Sequence, residues 1–257
     1  MIKRDKNFIL TNVINSSKSQ MKNSYFIVDY STRLGIAIKT LFLLMVSLFA
    51  GIFYFRFLSI FSLNNQLQLA FASIVSMSVI GFFLVLYSCL SKHITNLRTV
   101  SILYALCQGI FVGSFCDAIN IIYSNVLPIF MFALVCVCFV FVFMNLLYSL
   151  GFVKVNFKLK IFLIMLSVCL MFFVNINFFM RNSFLGFIIS IISILIGSLE
   201  LARNFAAVEY LVQNRLDVKY EWPLAFSFHM ILINLFIDFV ILLLRFMNFR
   251  DNKRSIF

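Results

Sequence analysis

Charge is scarce in this sequence. Asp, Glu, Lys and Arg make up 12% of the 257 residues and hydrophobic types 63%, where an ordinary soluble domain carries about 25% charged and roughly 45–50% apolar residues. A water-soluble fold of this length is excluded, because the polar surface it would need is not in the chain. Phe57 to Ser91 contains no Asp, Glu, Lys or Arg at all, and about 20 residues of helix suffice to cross the hydrocarbon of a bilayer. Alternating polarity in pieces of about ten residues is also missing, which argues against a membrane β-barrel. Helices remain, because they satisfy their backbone groups within the segment. With only 2 prolines and 8 glycines, no flexible linker marks a second domain. The six cysteines, Cys89, Cys107, Cys116, Cys136, Cys138 and Cys169, fall inside apolar stretches with no CxxC pair and no His at ligand spacing. They read as small packing residues, and neither a disulfide nor a metal centre follows from them. A cleavable signal peptide is not expected, since the beginning of the chain is polar and basic and the first apolar run is full length.

What the chain does contain is seven apolar segments, at about 35–55, 67–90, 99–122, 126–151, 159–179, 183–204 and 224–247. They predict an all-α polytopic membrane protein in three parts: a basic cytosolic arm (1–33), a transmembrane bundle (34–248) and a short basic tail (249–257). The net charge of +12 would suggest nucleic acid in a soluble protein, but here Lys and Arg gather at the ends of apolar runs. Membrane orientation is the better reading, and no nucleic-acid partner is expected. With the arm inside, the cytosolic side holds Lys3, Arg4, Lys6, Lys18, Lys22 and Arg33, then Lys92 and Arg98, then Lys154, Lys158 and Lys160, then Arg203, Arg215 and Lys219. The opposite loops hold only Arg56 and Arg181. Seven crossings put the tail outside although it carries Arg245, Arg250, Lys253 and Arg254; basic residues after the last span weigh less on topology than early ones.

One residue of the last segment stands out. Asp238, in "LFIDFVILLLRF", lies near the middle of a span, where an aspartate costs roughly 2.5–3.5 kcal/mol and each Leu or Ile returns about 0.5. Such an acid must face protein or water, and it is a functional candidate by default; the plainer alternative is hydrogen-bonded packing against a neighbouring helix. Gly109 and Gly113 form a GxxxG in "YALCQGIFVGSF", a spacing that lets two helix backbones approach closely. Gln108 beside them can donate and accept inside the bundle. In "KYEWP", Lys219, Glu221 and the single Trp222 precede Pro223, which reads as an interface anchor and a helix start. Enzyme chemistry is not expected. His93 and His229 lie far apart, no GxSxG or HExxH occurs, and Ser227 and His229, two apart on one helix, point in different directions.

Four stretches resemble those of a known family, in its order: "IKTLFLLMV" from Ile38, "YALCQGIFVGSF" from Tyr104, "LYSLGFVKV" from Leu147, and "KYEWPLAF" from Lys219 leading into "LFIDF". The chain resembles a divergent bacterial member of the Bax inhibitor-1 family, seven-span proteins also called transmembrane Bax inhibitor motif proteins. The resemblance implies six helices around a central seventh, with an acidic pair on the sixth and seventh helices acting as a pH-responsive latch on a calcium-permeable path. Asp238 matches the acid of the seventh. Asn204, in "LARNFAAVE", stands where the family usually has Asp, and Gln108 where related bacterial members often have Glu. An Asp and an amide can hydrogen-bond but cannot share a proton between two carboxylates, and direct contact of Asp238 with Asn204 is plausible if the sixth helix runs on past Val212. The implied function is a calcium leak with Asp238 as gate or path residue and Asn204 and Gln108 beside it. The partners implied are the lipid bilayer, calcium ions and other membrane proteins, with no cofactor. The rival is a non-conducting scaffold that binds a membrane protease or secretion component.

Overall fold

In a computed structural model of the full chain, the described residues are 30–90, 97–123, 126–152, 161–163, 165–166, 169–170 and 183–254. They form six long helices: α1 Arg33–Leu58, α2 Leu63–Leu90, α3 Leu97–Ile122, α4 Leu127–Ser149, α5 Ser183–Gln213 and α6 Glu221–Arg254, with a 3-10 turn at Val218–Tyr220 before the last. All six are long and apolar enough to cross a membrane. The arm and most of the predicted fifth segment lie outside the described residues; the described parts of that segment, at 161–163, 165–166 and 169–170, are helical. Large apolar side chains such as Leu41, Phe49, Phe53, Phe82 and Phe139 are exposed, as a surface solvated by lipid requires.

Local chemistry explains where the helices start and stop. Thr32, in extended conformation, caps α1 by accepting the Gly35 N–H at 2.9 Å, which satisfies one of the unpaired donors of the first turn. A proline at the first or second position opens α4, where its missing N–H is not needed. At the end of α4, Gly151 takes φ +76°. The Phe152 N–H returns to the Leu147 carbonyl at 3.1 Å and the Gly151 N–H to Tyr148 at 3.0 Å, the Schellman pattern that glycine favours. Helix α5 ends on the same pattern, with Leu216 bonded to Leu211 and Arg215 to Val212, but the left-handed position is Arg215, at φ 47°. For a residue with a Cβ that conformation costs about 1–2 kcal/mol.

The contacts divide into two units, Met1–Asn125 with Ala207–His229, and Val126–Ala206 with Met230–Phe257. In the first, α1 and α3 run parallel, because Gly51 meets Gly109 and Gly113. Helices α2 and α3 run antiparallel, with Gln66 bonded to Asp117 and Ser73 to Ser114. Leu58, Ala70 and Ala118 form a buried cluster there, with Tyr54 and Ile74 packed on it. The start of α6 lies beside the starts of α1 and α3. The Glu221 carboxylate accepts the Thr32 N–H at 2.7 Å and meets Lys39 Nζ at 2.6 Å, and the Trp222 ring lies 5.3 Å from the Arg98 guanidinium. Helices α1, α3 and α6 therefore begin on one face, the arm side.

In the second unit, the end of α4 packs against the second half of α5. Phe205 packs against Phe141 and Tyr148, with ring centroids 5.5 and 6.2 Å apart, so the end of α4 sits about 33 Å along α5 from the start of α5. That distance is about the thickness of a bilayer core. Helix α6, with 34 residues, is long enough to end on the face opposite its start.

Candidate functional site in the seam of α5 and α6

Helices α5 and α6 pack antiparallel in the second unit, and Gly197 lets Leu235 approach until a Cβ on the glycine would stand 2.8 Å from the leucine. One turn from that contact, Ser193 Oγ donates to Asp238 Oδ2 at 2.6 Å. Farther along, Arg245 Nη1 donates to Ser190 Oγ at 3.2 Å, and the Ser190 hydroxyl itself donates to the Gly186 carbonyl. Ser190 and Ser193 are three positions apart and Asp238 and Arg245 seven, so each pair shares one helix face. The result is a ladder of two serines opposite an acid and a base. It starts near the middle of the last span and ends near its tail-side limit.

Asp238 is half-buried, and its hydrogen-bond partner is Ser193 rather than the predicted Asn204. Helix α5 does run on past Val212, to Gln213, but Asn204 is eleven positions beyond Ser193, about 16 Å along the axis. The Asp and amide pair is therefore not formed, although Asn204 is buried. Gln108 serves its own helix: its Nε2 donates to the Tyr104 hydroxyl one turn back, at 2.8 Å. Tyr104 in turn packs edge-on against Phe226 and His229, at 4.8 and 6.1 Å. His229 is fully buried, and neither ring nitrogen has a hydrogen-bond partner.

Gly109 and Gly113 do pack helices. A Cβ on Gly109 would collide with the Ser47 carbonyl oxygen, and one on Gly113 would lie 2.5 Å from that of Gly51. The anchor reading of "KYEWP" divides. Lys219 is exposed and pairs with Asp217 at 3.4 Å, whereas Glu221 is buried and the Trp222 ring has the cations of Lys39 and Arg98 5.4 and 5.3 Å from its centroid. Burial of Glu221 follows from the N–H and ammonium donors that α1 offers it.

Two features were missed by the sequence reading. Ser190 and Ser193 carried a signal in their three-residue spacing within the sixth apolar segment. Asp117 is another acid within the spans; it is buried, and both of its oxygens accept from Gln66 Nε2, at 2.9 and 3.1 Å. Its position near the end of the third segment makes it resemble an interfacial acid.

Fold and site together define an all-α polytopic membrane protein with an acid-bearing polar seam in its last span. Residues 9–248 match the family model described as Bax inhibitor 1 like, and the chain belongs to that family. No curated protein matches it.

Proposed function

We propose that the protein lets cations, calcium in the first place, leak across the bilayer, with Asp238 as the gate. The observation that carries this reading is the hydrogen bond from Ser193 to Asp238. It holds a protonatable oxygen donor at mid-span on a polar seam, where a hard cation finds the oxygen chemistry it needs. Breaking or remaking that bond as the carboxyl gains or loses its proton gives the gate a pH response. Because no second carboxylate is bonded to Asp238 among the described residues, the response belongs to one acid rather than to a proton-sharing pair. Bacterial inner-membrane residence with the arm in the cytosol goes with this reading, on the strength of the Lys and Arg bias among the loops. The same reading assigns the protein no enzymatic reaction.

A second reading has its own support. Asn204 and Gln108 are neutral where the family resemblance implies acids, which favours a non-conducting scaffold for other membrane proteins. Calcium entry into proteoliposomes at acidic, neutral and alkaline pH, compared between wild type and Asp238→Asn, separates the two. Flux that varies with pH and is lost or made pH-independent by the substitution supports the gate; absence of flux in both proteins at every pH supports the scaffold.

A further inference from the structure

An arginine near the end of a membrane span ordinarily extends its charged head to the lipid headgroups and water. Arg245 does otherwise. It lies two residues inside the end of the last span at Met247, and its guanidinium turns to Ser190, which is only 5% exposed. None of the ion pairs among the described side chains involves it. A polar group in the interior of a span needs a reason to be there, and the ladder supplies a geometric one. Arg245 is seven positions beyond Asp238 on the same helix face, about 10 Å along the axis, and the intervening level is filled by Ser193 and Ser190 of the facing helix.

We propose that Ser193, Ser190 and Arg245 form the tail-side half of the path that leads to Asp238, and that Arg245 is its charge filter. The inference rests on the leak reading of Asp238. A cation moving between the tail-side surface and the carboxyl must pass the guanidinium within the ladder. Like charges a few ångströms apart in a medium poorer than water in dielectric screening repel strongly. Arg245 therefore holds the leak low, and the two serine hydroxyls supply the oxygens that a dehydrating ion meets between it and Asp238. The same positive charge favours entry of small anions as far as Ser193.

The test uses the full chain in proteoliposomes with an entrapped calcium indicator. Arg245→Gln is expected to raise initial calcium entry about tenfold, the scale set by removing one close like charge. Arg245→Lys, which keeps the charge, is expected to return it towards the wild-type rate, and Asp238→Asn added to Arg245→Gln to remove the gain. If Asp238→Asn abolishes flux but Arg245→Gln leaves it at the wild-type rate, the filter is wrong while the leak reading stands. Absence of flux in wild type, Asp238→Asn and Arg245→Gln alike sinks the leak reading and, with it, Arg245 as a filter for calcium. A second measurement needs neither flux nor a change at Arg245. Ser190→Cys and Ser193→Cys are exposed from the tail side to sulfonate and trimethylammonium methanethiosulfonates, each rate normalised to a free thiol and corrected for the parent protein. Modification with the anionic reagent favoured about tenfold supports the lane and its filter; equal rates overturn the filter, and no modification of either cysteine overturns the lane.

Discussion

Lys39 of α1 and Glu221 at the first residue of α6 meet at 2.6 Å across 182 positions of sequence. The Glu221 side chain is 3% exposed and that of Lys39 19%, so the pair is mostly dry. The carboxylate also sits at the start of α1, accepting the Thr32 N–H, where the positive end of the helix dipole favours an anion. Gly35 makes the approach possible, because a Cβ there would stand 2.5 Å from both carboxylate oxygens.

Removing one partner leaves a buried charge without compensation, which costs about 3 kcal/mol at the lower end of the usual range. Lys39→Met is therefore expected to lower the thermal midpoint in detergent clearly. Lys39→Met combined with Glu221→Gln is expected to recover most of the loss, since no bare carboxylate remains. Equal destabilisation by the single and the double variant would show that the lysine contributes through packing of its stem alone.

The crossing of α1 and α3 makes a prediction with an internal ranking. At Gly109 an added methyl would strike the Ser47 carbonyl and stand 2.8 Å from the Ala50 Cβ; at Gly51 its nearest neighbour is the Gly109 carbonyl oxygen at 3.0 Å. Backbone cannot swing aside as a side chain does, so Gly109→Ala must push the helices apart. The expected net loss is about 1–3 kcal/mol, even though alanine favours helix over glycine by about 1 kcal/mol. Gly51→Ala should cost less. Melting both variants in the same detergent checks the order, and a larger loss at Gly51 would contradict the packing described.

Much of this was legible from residue types. Apolar runs of span length located the described helices, and the GxxxG spacing identified a close crossing, because both signals are local. The partners of Asp238 and Glu221 were not legible. Sequence spacing gives the face of a helix but not how far a neighbouring helix slides along it, and a slide of eleven positions replaced Asn204 by Ser193. Trp222 and Glu221 looked like interfacial residues because their type and the following proline mark a helix start. That the start lies against Thr32, Lys39 and Arg98 depends on contacts far apart in the chain.

Ser193 and Asp238 can be separated by their hydrogen-bonding roles. Ser193→Ala removes the donor and leaves the carboxyl oxygen without a described partner, a loss of about 0.5–1.5 kcal/mol for a hydrogen bond between membrane helices. Asp238→Asn keeps a carbonyl oxygen that still accepts from Ser193. Its loss in a detergent melt is expected to be smaller than that of Ser193→Ala, although the gate reading has it abolish flux or its pH dependence. A stability loss in Asp238→Asn exceeding that of Ser193→Ala would mean that the carboxyl is bound more tightly into the packing than the single bond indicates.

The directions of the helices predict the sides of both termini. Arm-side contacts at Thr32, Lys39, Arg98 and Trp222 bring the starts of α1, α3 and α6 to one face. An even number of crossings must therefore separate any two of these starts. Helices α1 and α2 account for the first pair. Between the starts of α3 and α6, the described helices α3, α4 and α5 are three, so the predicted fifth apolar segment is expected to supply a fourth passage. The tail then leaves on the face opposite the arm, despite its basic residues. A single cysteine introduced at Ser17 and another at Ser255, each read against the parent protein with a membrane-impermeant maleimide, should label from opposite faces. In intact cells with the arm inside, only the Ser255→Cys variant should react. Labelling of both from one face would contradict seven crossings.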